Sequence, residues 1–295
     1  MTVSEIYVIP ATPAPWANYL GSPEYGAIIS NNAGGYSFVK SGANGRVIRY
    51  RFNSVAVDQP GRYVYIKDNE TGEYWSGSWA PVCKPLEDYK SECRHGTAYT
   101  VITSEYKKIK SEVTYYVPKD ATYEVWAARI TNNDTKPRKL SVTGYCEFVN
   151  DPNYEQDQVN LQYSQFITRT EFEGDRIRHI VHGNLDWVKD EEEEVDDKRS
   201  TSRVFALVGA AVDSYCGDKE AFLGRYHGYK NPVGVETGKL SGEMCYNENG
   251  CGALSTVMKL QPGETKEIAF IVGLKEKAEA DAKHRFETYK ELADD

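Results

Sequence analysis

This 295-residue chain has no long apolar run. Stretches such as FALVGAAV at residues 205–212 fall well short of the ~18 apolar residues that a spanning helix needs, so no transmembrane helix is expected among these residues. The opening MTVSEIYVIPATPAPW has neither a basic start nor a continuous apolar core, and prolines interrupt it early. It does not read as a secretory signal, and a cytoplasmic location is expected. Basic charge is also scarce, with 35 Lys and Arg against 44 Asp and Glu, a net charge of −9. The densest run, KDEEEEVDDK at 189–198, reads as a solvated loop whose like charges stay hydrated. Such a surface repels phosphate backbones, so neither nucleic acid nor an anionic membrane is an expected partner.

Metal-binding patterns are missing too. The six cysteines (Cys83, Cys93, Cys146, Cys216, Cys245 and Cys251) contain no close C-x-x-C pair of the kind zinc sites use. Without a secretory signal they are expected as reduced thiols, although Cys245 and Cys251 lie close enough in CYNENGCG for a bridge to be conceivable. The five histidines are scattered, and His179 with His182 in HIVH offers two ligands without a third. No metal site is expected. There is no G-x-S-x-G elbow, no H-E-x-x-H helix and no P-loop. NNAGGYSF at 31–38 lacks the spacing and the lysine of a phosphate cradle, so it reads as a turn entering a strand.

What is present is alternation. From about residue 36 to 274 the dominant period is two, the signature of half-buried strands. In KLSVTGYCEFV, Leu140, Val142, Gly144, Cys146 and Phe148 share one face, and Ser141, Thr143, Tyr145 and Glu147 share the other. KSEVTYYVP puts Val113, Tyr115 and Val117 together, and TKEIAFIVGL does the same with Ile268, Phe270, Val272 and Leu274. QPGE at 261–264 sets Pro262 and Gly263 where a type II turn wants them. These features predict a mainly β chain, a large antiparallel β-sandwich over 1–274, with the 22 tyrosines serving mostly as strand packing. At residue 275 the composition changes to KEKAEADAKHRFETYKELADD, with Ala278, Ala282, Phe286, Tyr289 and Leu292 near helical spacing. A helix over 275–295 is predicted, with an apolar stripe that needs a covering partner. Carboxylates are plentiful, but spacing alone does not pick out an acid and base pair of the kind that glycoside cleavage requires.

The segments APWANYLG, NNAGGYSF, PGRYVYIKD, YWSGSWAPV, RHGTAYT, VPKDATYEVW and LQPGE occur in that order along the chain. Together they resemble the N-terminal domain of glycoside hydrolase family 94, the inverting phosphorylases of cellobiose, N,N'-diacetylchitobiose and related β-linked sugars. FLGRYHGYKNPVGVETGKLSGEMCYNENGCGAL at 222–254 is similar to the chitobiose-type and cellobiose-type members in particular. The family's usual Tyr-Gly-x-Phe-Asp opening is missing.

The resemblance implies a galactose-mutarotase-like sandwich, a linker helix starting near 275, and a catalytic (α/α)6 barrel that these 295 positions do not contain. It therefore implies no catalytic residue here. The full enzyme would be a hexosyl-transferring glycosyltransferase using inorganic phosphate as co-substrate and no other cofactor. Expected partners are the barrel, in cis or in trans, a second copy in a homodimer, and a β-linked disaccharide or oligosaccharide. The chain alone is expected to be inactive. In this family the loop after the strand ending near residue 147 lies by the partner subunit's active-site entrance. This makes Tyr154, Gln156, Asp157, Gln158 and Asn160, within FVNDPNYEQDQVNLQYSQF, the expected substrate-binding residues across the dimer. An independent carbohydrate-binding sandwich without catalytic activity is the other reading of the same residues.

Overall fold

The computed structural model describes residues 6–51, 58–182 and 201–274. Every strand pairing among them is antiparallel. Nine strands form the largest sheet, in the order β1 (Ile6–Val8), β7 (Lys90–His95), β8 (Tyr99–Tyr106), β9 (Ile109–Tyr116), β10 (Tyr123–Asn132), β17 (Thr265–Leu274), β14 (Thr201–Val208), β13 (Arg176–Val181) and β12 (Thr168–Glu173). Facing it is a five-stranded sheet ordered β15 (Ser214–Asp218), β16 (Gly250–Leu260), β11 (Arg138–Glu147), β5 (Tyr63–Asp68) and β6 (Tyr74–Ser76). A three-stranded sheet of β2 (Ala17–Gly21), β3 (Tyr25–Ser30) and β4 (Gly35–Val39) completes the sandwich.

The alternating residues meet in one core. Leu140, Val142 and Cys146 of β11 pack with Trp126 and Ile130 of β10, Ile268, Phe270 and Val272 of β17, and Phe205 of β14. Trp126 lies 5.3 Å from Phe205 between ring centroids, and Phe205 stacks on Phe270 at 5.6 Å. The sheets come so close that a Cβ on Gly144 would sit 2.5 Å from the Phe270 ring. Gly144→Ala is therefore expected to cost about 1–3 kcal/mol through overpacking, read as a lower urea midpoint with an unchanged slope.

The other face of β11 departs from the half-solvated strand that alternation predicts. Ser141, Thr143, Tyr145 and Glu147 are buried as well, because the excursion between β15 and β16 folds back over them. That excursion carries the short helices α3 (Lys219–Leu223) and α4 (Val233–Glu236). Its Phe222, Val235 and Leu240 close a second apolar cluster with Tyr63, Tyr65 and Tyr145. Tyr145 stacks on Phe222 at 4.4 Å. A third layer thus covers the five-stranded sheet.

The turns form as their residues require. Glu264 donates its backbone N–H to the Gln261 carbonyl at 3.0 Å, and Gly263 takes φ +76°, as a type II turn demands. NNAGGYSF is the β3–β4 turn, where Asn31 and Asn32 donate to the carbonyls of Ile9 and Pro10 instead of facing a phosphate. All six cysteines are free, Cys245 and Cys251 included. The helix expected over 275–295 and the acidic run at 189–198 lie outside the described residues.

Candidate functional site at the end of strand β11

Strand β11 ends at Glu147, and the chain then turns into α1 (Tyr154–Val159) and α2 (Leu161–Phe166). The polar segment expected as a loop is thus two short helices. Asn153 caps α1, its side chain accepting from the Gln156 backbone N–H at 2.9 Å.

What holds α1 to the sandwich is Arg49, whose backbone N–H donates to the Glu147 carbonyl at 2.7 Å. Its guanidinium is fully buried and forks onto Asp157, with Nη2–Oδ1 2.7 Å and Nε–Oδ2 3.0 Å. Asp157 Oδ1 also accepts from the backbone N–H of Asn150 at 2.8 Å. The remaining Arg49 nitrogen, Nη1, donates to Glu147 Oε1 at 2.9 Å and to Asn249 Oδ1 at 3.1 Å. Lys219, at the start of α3, brings its ammonium within 2.9 Å of both Glu147 oxygens, and the Tyr229 hydroxyl donates to Oε2. Arg49, Asp157 and Glu147 are thus buried together with partly exposed Lys219 at their edge, each buried charge paired and hydrogen-bonded, the condition under which burying charge is tolerated. Burial alone would raise the Glu147 carboxyl; Lys219, Arg49 and the Tyr229 hydrogen bond outweigh it and hold the group down at about 2.

Behind this cluster lies Arg203, also fully buried, which donates to the carbonyls of Val149 and Arg46 at 3.3 and 3.2 Å. Burial lowers its guanidinium to about 10. His179, stacked on Phe148 at 4.8 Å, is held well below its ordinary range by burial and by the Arg203 and Arg49 charges. It is therefore neutral, and Nδ1 accepts from Arg203 Nη1 at 3.3 Å. No metal-binding group of His, Cys, Asp and Glu occurs among the described residues.

The five expected site residues separate into two sets. Asp157 faces inward: its carboxylate is taken up by Arg49 and by backbone donors, so it anchors the helix and has no free oxygen for a sugar. Tyr154 lies against the Arg46 guanidinium at 4.0 Å, with Tyr36 at 4.0 Å from the same group. Gln156 and Asn160 are exposed, and Gln158 is half-buried with an Nε2 that has no hydrogen-bond partner. Beside them Val159, Leu161 and Phe166 present exposed apolar surface. Arg49, Glu147, Lys219 and Asn249, which organise the site, carry no pattern in the sequence, because they come from four separate segments.

The chain matches the model of the glycosyl hydrolase 94 supersandwich domain over residues 2–292. It is 39% identical over 272 residues to N,N'-diacetylchitobiose phosphorylase from Vibrio furnissii, covering 91% of this chain and 32% of that protein. It is 30% identical over 271 residues to 3-O-beta-D-glucopyranosyl-beta-D-glucuronide phosphorylase from Paenibacillus borealis, covering 90% and 32%. The chain thus spans about a third of the length of these curated relatives. Among solved structures, a GalM/aldose epimerase homologue from C. elegans aligns over 89% of this chain and 99% of its own, at 12% identity and a TM-score of 0.46. With a family match running from end to end of the described strands, the chain belongs to the glycosyl hydrolase 94 supersandwich-domain family.

Proposed function

We propose that this chain is the supersandwich portion of an inverting β-glycoside phosphorylase, serving assembly and the shaping of the acceptor site. The observation that carries the reading is the 39% identity to an N,N'-diacetylchitobiose phosphorylase, sustained over 91% of the chain. In the reaction, phosphate attacks the anomeric carbon from the face opposite the leaving sugar. The glycosidic C–O bond breaks, a carboxylic acid of the catalytic barrel gives its proton to the departing oxygen, and an inverted sugar 1-phosphate results. This chain supplies neither the acid nor the phosphate clamp, so by itself it releases no sugar 1-phosphate. Its partners are the (α/α)6 barrel and a second copy in a cytoplasmic homodimer, where α1 reaches the neighbouring active-site entrance.

The arrangement at β11 favours this role for part of the expected set. With Asp157 clamped, Gln156, Gln158 and Asn160 are offered from a fixed helix, and carboxamides both donate to and accept from sugar hydroxyls. Gln156 and Asn160 are exposed to such a partner, whereas the Gln158 Nε2 is buried and reaches one only if the side chain turns outward. The test is alanine replacement in the full-length enzyme. Gln156→Ala, Gln158→Ala and Asn160→Ala are expected to lower acceptor kcat/KM in synthesis about two- to tenfold, the worth of one neutral hydrogen bond. Melting temperature and phosphate KM should stay unchanged. Asp157→Ala should instead lower the melting temperature, and unchanged acceptor kinetics in the first three would remove α1 from the acceptor site.

A further inference from the structure

A cleft of about 200 Å³ opens beside the buried cluster, lined by Asp218, Lys219, Glu220, Leu223, Gly224, His227, Glu248 and Asn249. It falls within the 222–254 run and its flank, and it shares Lys219 and Asn249 with the Arg49 cluster. Its polar groups have fixed orientations. Asn249 Oδ1 accepts from both Arg49 and Asn150, at 3.1 Å each, so its amide nitrogen is left as the donor. His227 Nδ1 lies 2.7 Å from the Asn231 carbonyl, which places the ring proton there and leaves Nε2 as an acceptor. No hydrogen bond or ion pair among the described residues engages the Glu248 carboxylate, and half-buried Leu223 supplies an apolar wall.

A second observation comes from the backbone. Tyr226, between two residues that line the cleft, is fully exposed and takes φ +62°, a left-handed conformation that a residue with a Cβ adopts at a cost. An aromatic ring held in water on a strained turn contributes nothing to folding by burial, and it is the surface on which the C–H face of a sugar stacks. Local charge narrows the ligand further. The Lys219 ammonium is spent on Glu147 and Arg225 lies 3.5 Å from Glu220, so Asp218 and Glu248 leave the cleft negative and unsuited to phosphate. The volume, below the roughly 300–1,000 Å³ of pockets for drug-sized ligands, suits a single ring.

We infer that this cleft is a binding subsite for one neutral pyranose ring. Tyr226 forms its stacking platform, Asn249 is a donor, and Glu248 and His227 are acceptors for hydroxyls. The subsite does not depend on the phosphorylase reading, because binding is measured on this chain alone and without turnover.

The experiment is an amide-shift titration of the 295-residue chain with methyl β-glucoside, methyl N-acetyl-β-glucosaminide, cellobiose and glucose 1-phosphate. The two glycosides test a free ring and cellobiose tests the end of an oligosaccharide. Saturable shifts are expected over residues 218–228 and 247–250 with at least one neutral sugar, and weaker binding is expected for glucose 1-phosphate. Tyr226→Gly, which suits the left-handed turn and should melt no lower than the wild type, is expected to weaken binding about fivefold. Glu248→Gln keeps the shape, removes the charged acceptor and should weaken binding at least twofold. The inference is overturned by the absence of saturable shifts in these segments, by variants that bind as the parent does, or by tighter binding of the 1-phosphate.

Discussion

Replacement of Arg49 by methionine is expected to lower folding stability by about 3–5 kcal/mol. The reason is asymmetry. Arg49 forks onto Asp157 with two nitrogens and serves Glu147 and half-buried Asn249 with the third, both carboxylates being out of water. Methionine fills much of the volume but leaves Asp157 with only backbone donors and Glu147 with one close cation fewer. A carboxylate stranded without its partner costs far more than the intact pair contributes. Lysine would retain the charge but not the fork, and Arg49→Lys should fall between the two. A thermal melt checks the order: the methionine variant should drop by about 6–20 °C, allowing 2–4 °C per kcal/mol for a domain of this size. A drop within 2 °C would show that the cluster is not what fixes α1.

The second large effect is on acid stability. Glu147 is held at about 2 in the folded protein against 4.5 for an ordinary glutamate. A carboxyl depressed on folding contributes stability that is complete above its unfolded value and is lost as pH falls through the folded value. The window is therefore pH 4.5 down to about 2, and the amount is about 3 kcal/mol, undiscounted because the group is fully buried. Glu147→Gln should be less stable than the parent at pH 7, and the gap should close between pH 4.5 and 2. Urea unfolding across that range reads it directly. A gap that persists unchanged at pH 2 would assign the loss to packing and not to charge.

Which features were legible in the sequence follows from how each is encoded. The faces of β9, β11 and β17 were readable because period two in Val113 and Tyr115, in Leu140, Val142 and Cys146, and in Ile268, Phe270 and Val272 is a local signal that the core obeys. The burial of the second face of β11 was not readable. It depends on Phe222, Val235 and Leu240, which arrive from an irregular excursion some eighty residues away with no period of its own. The helical character of 154–166 had a signal that polarity masked: Asn153 followed three residues later by Gln156 is an N-cap arrangement, with Glu155 and Asp157 in the first turn. The resemblance puts Asp157 among the expected sugar ligands, and an acid in a polar stretch is ordinarily exposed. What turns it inward is Arg49, 108 positions earlier, and nothing near Asp157 announces that partner. The proposed role of the chain as part of a larger enzyme came from likeness and not from a catalytic motif legible in its sequence.

The central claim, that this chain is the supersandwich portion of a β-glycoside phosphorylase, is tested most directly by a transplant. The chain would replace the matching third of the Vibrio furnissii N,N'-diacetylchitobiose phosphorylase, to which it is 39% identical, and sugar 1-phosphate would be measured from N,N'-diacetylchitobiose and phosphate. The account predicts phosphorolysis by the folded chimera, none by the 295-residue chain alone, and reduced acceptor kcat/KM in a Gln156→Ala chimera. Release of sugar 1-phosphate by the chain alone, or a folded and fully assembled chimera with no phosphorolysis, would contradict it.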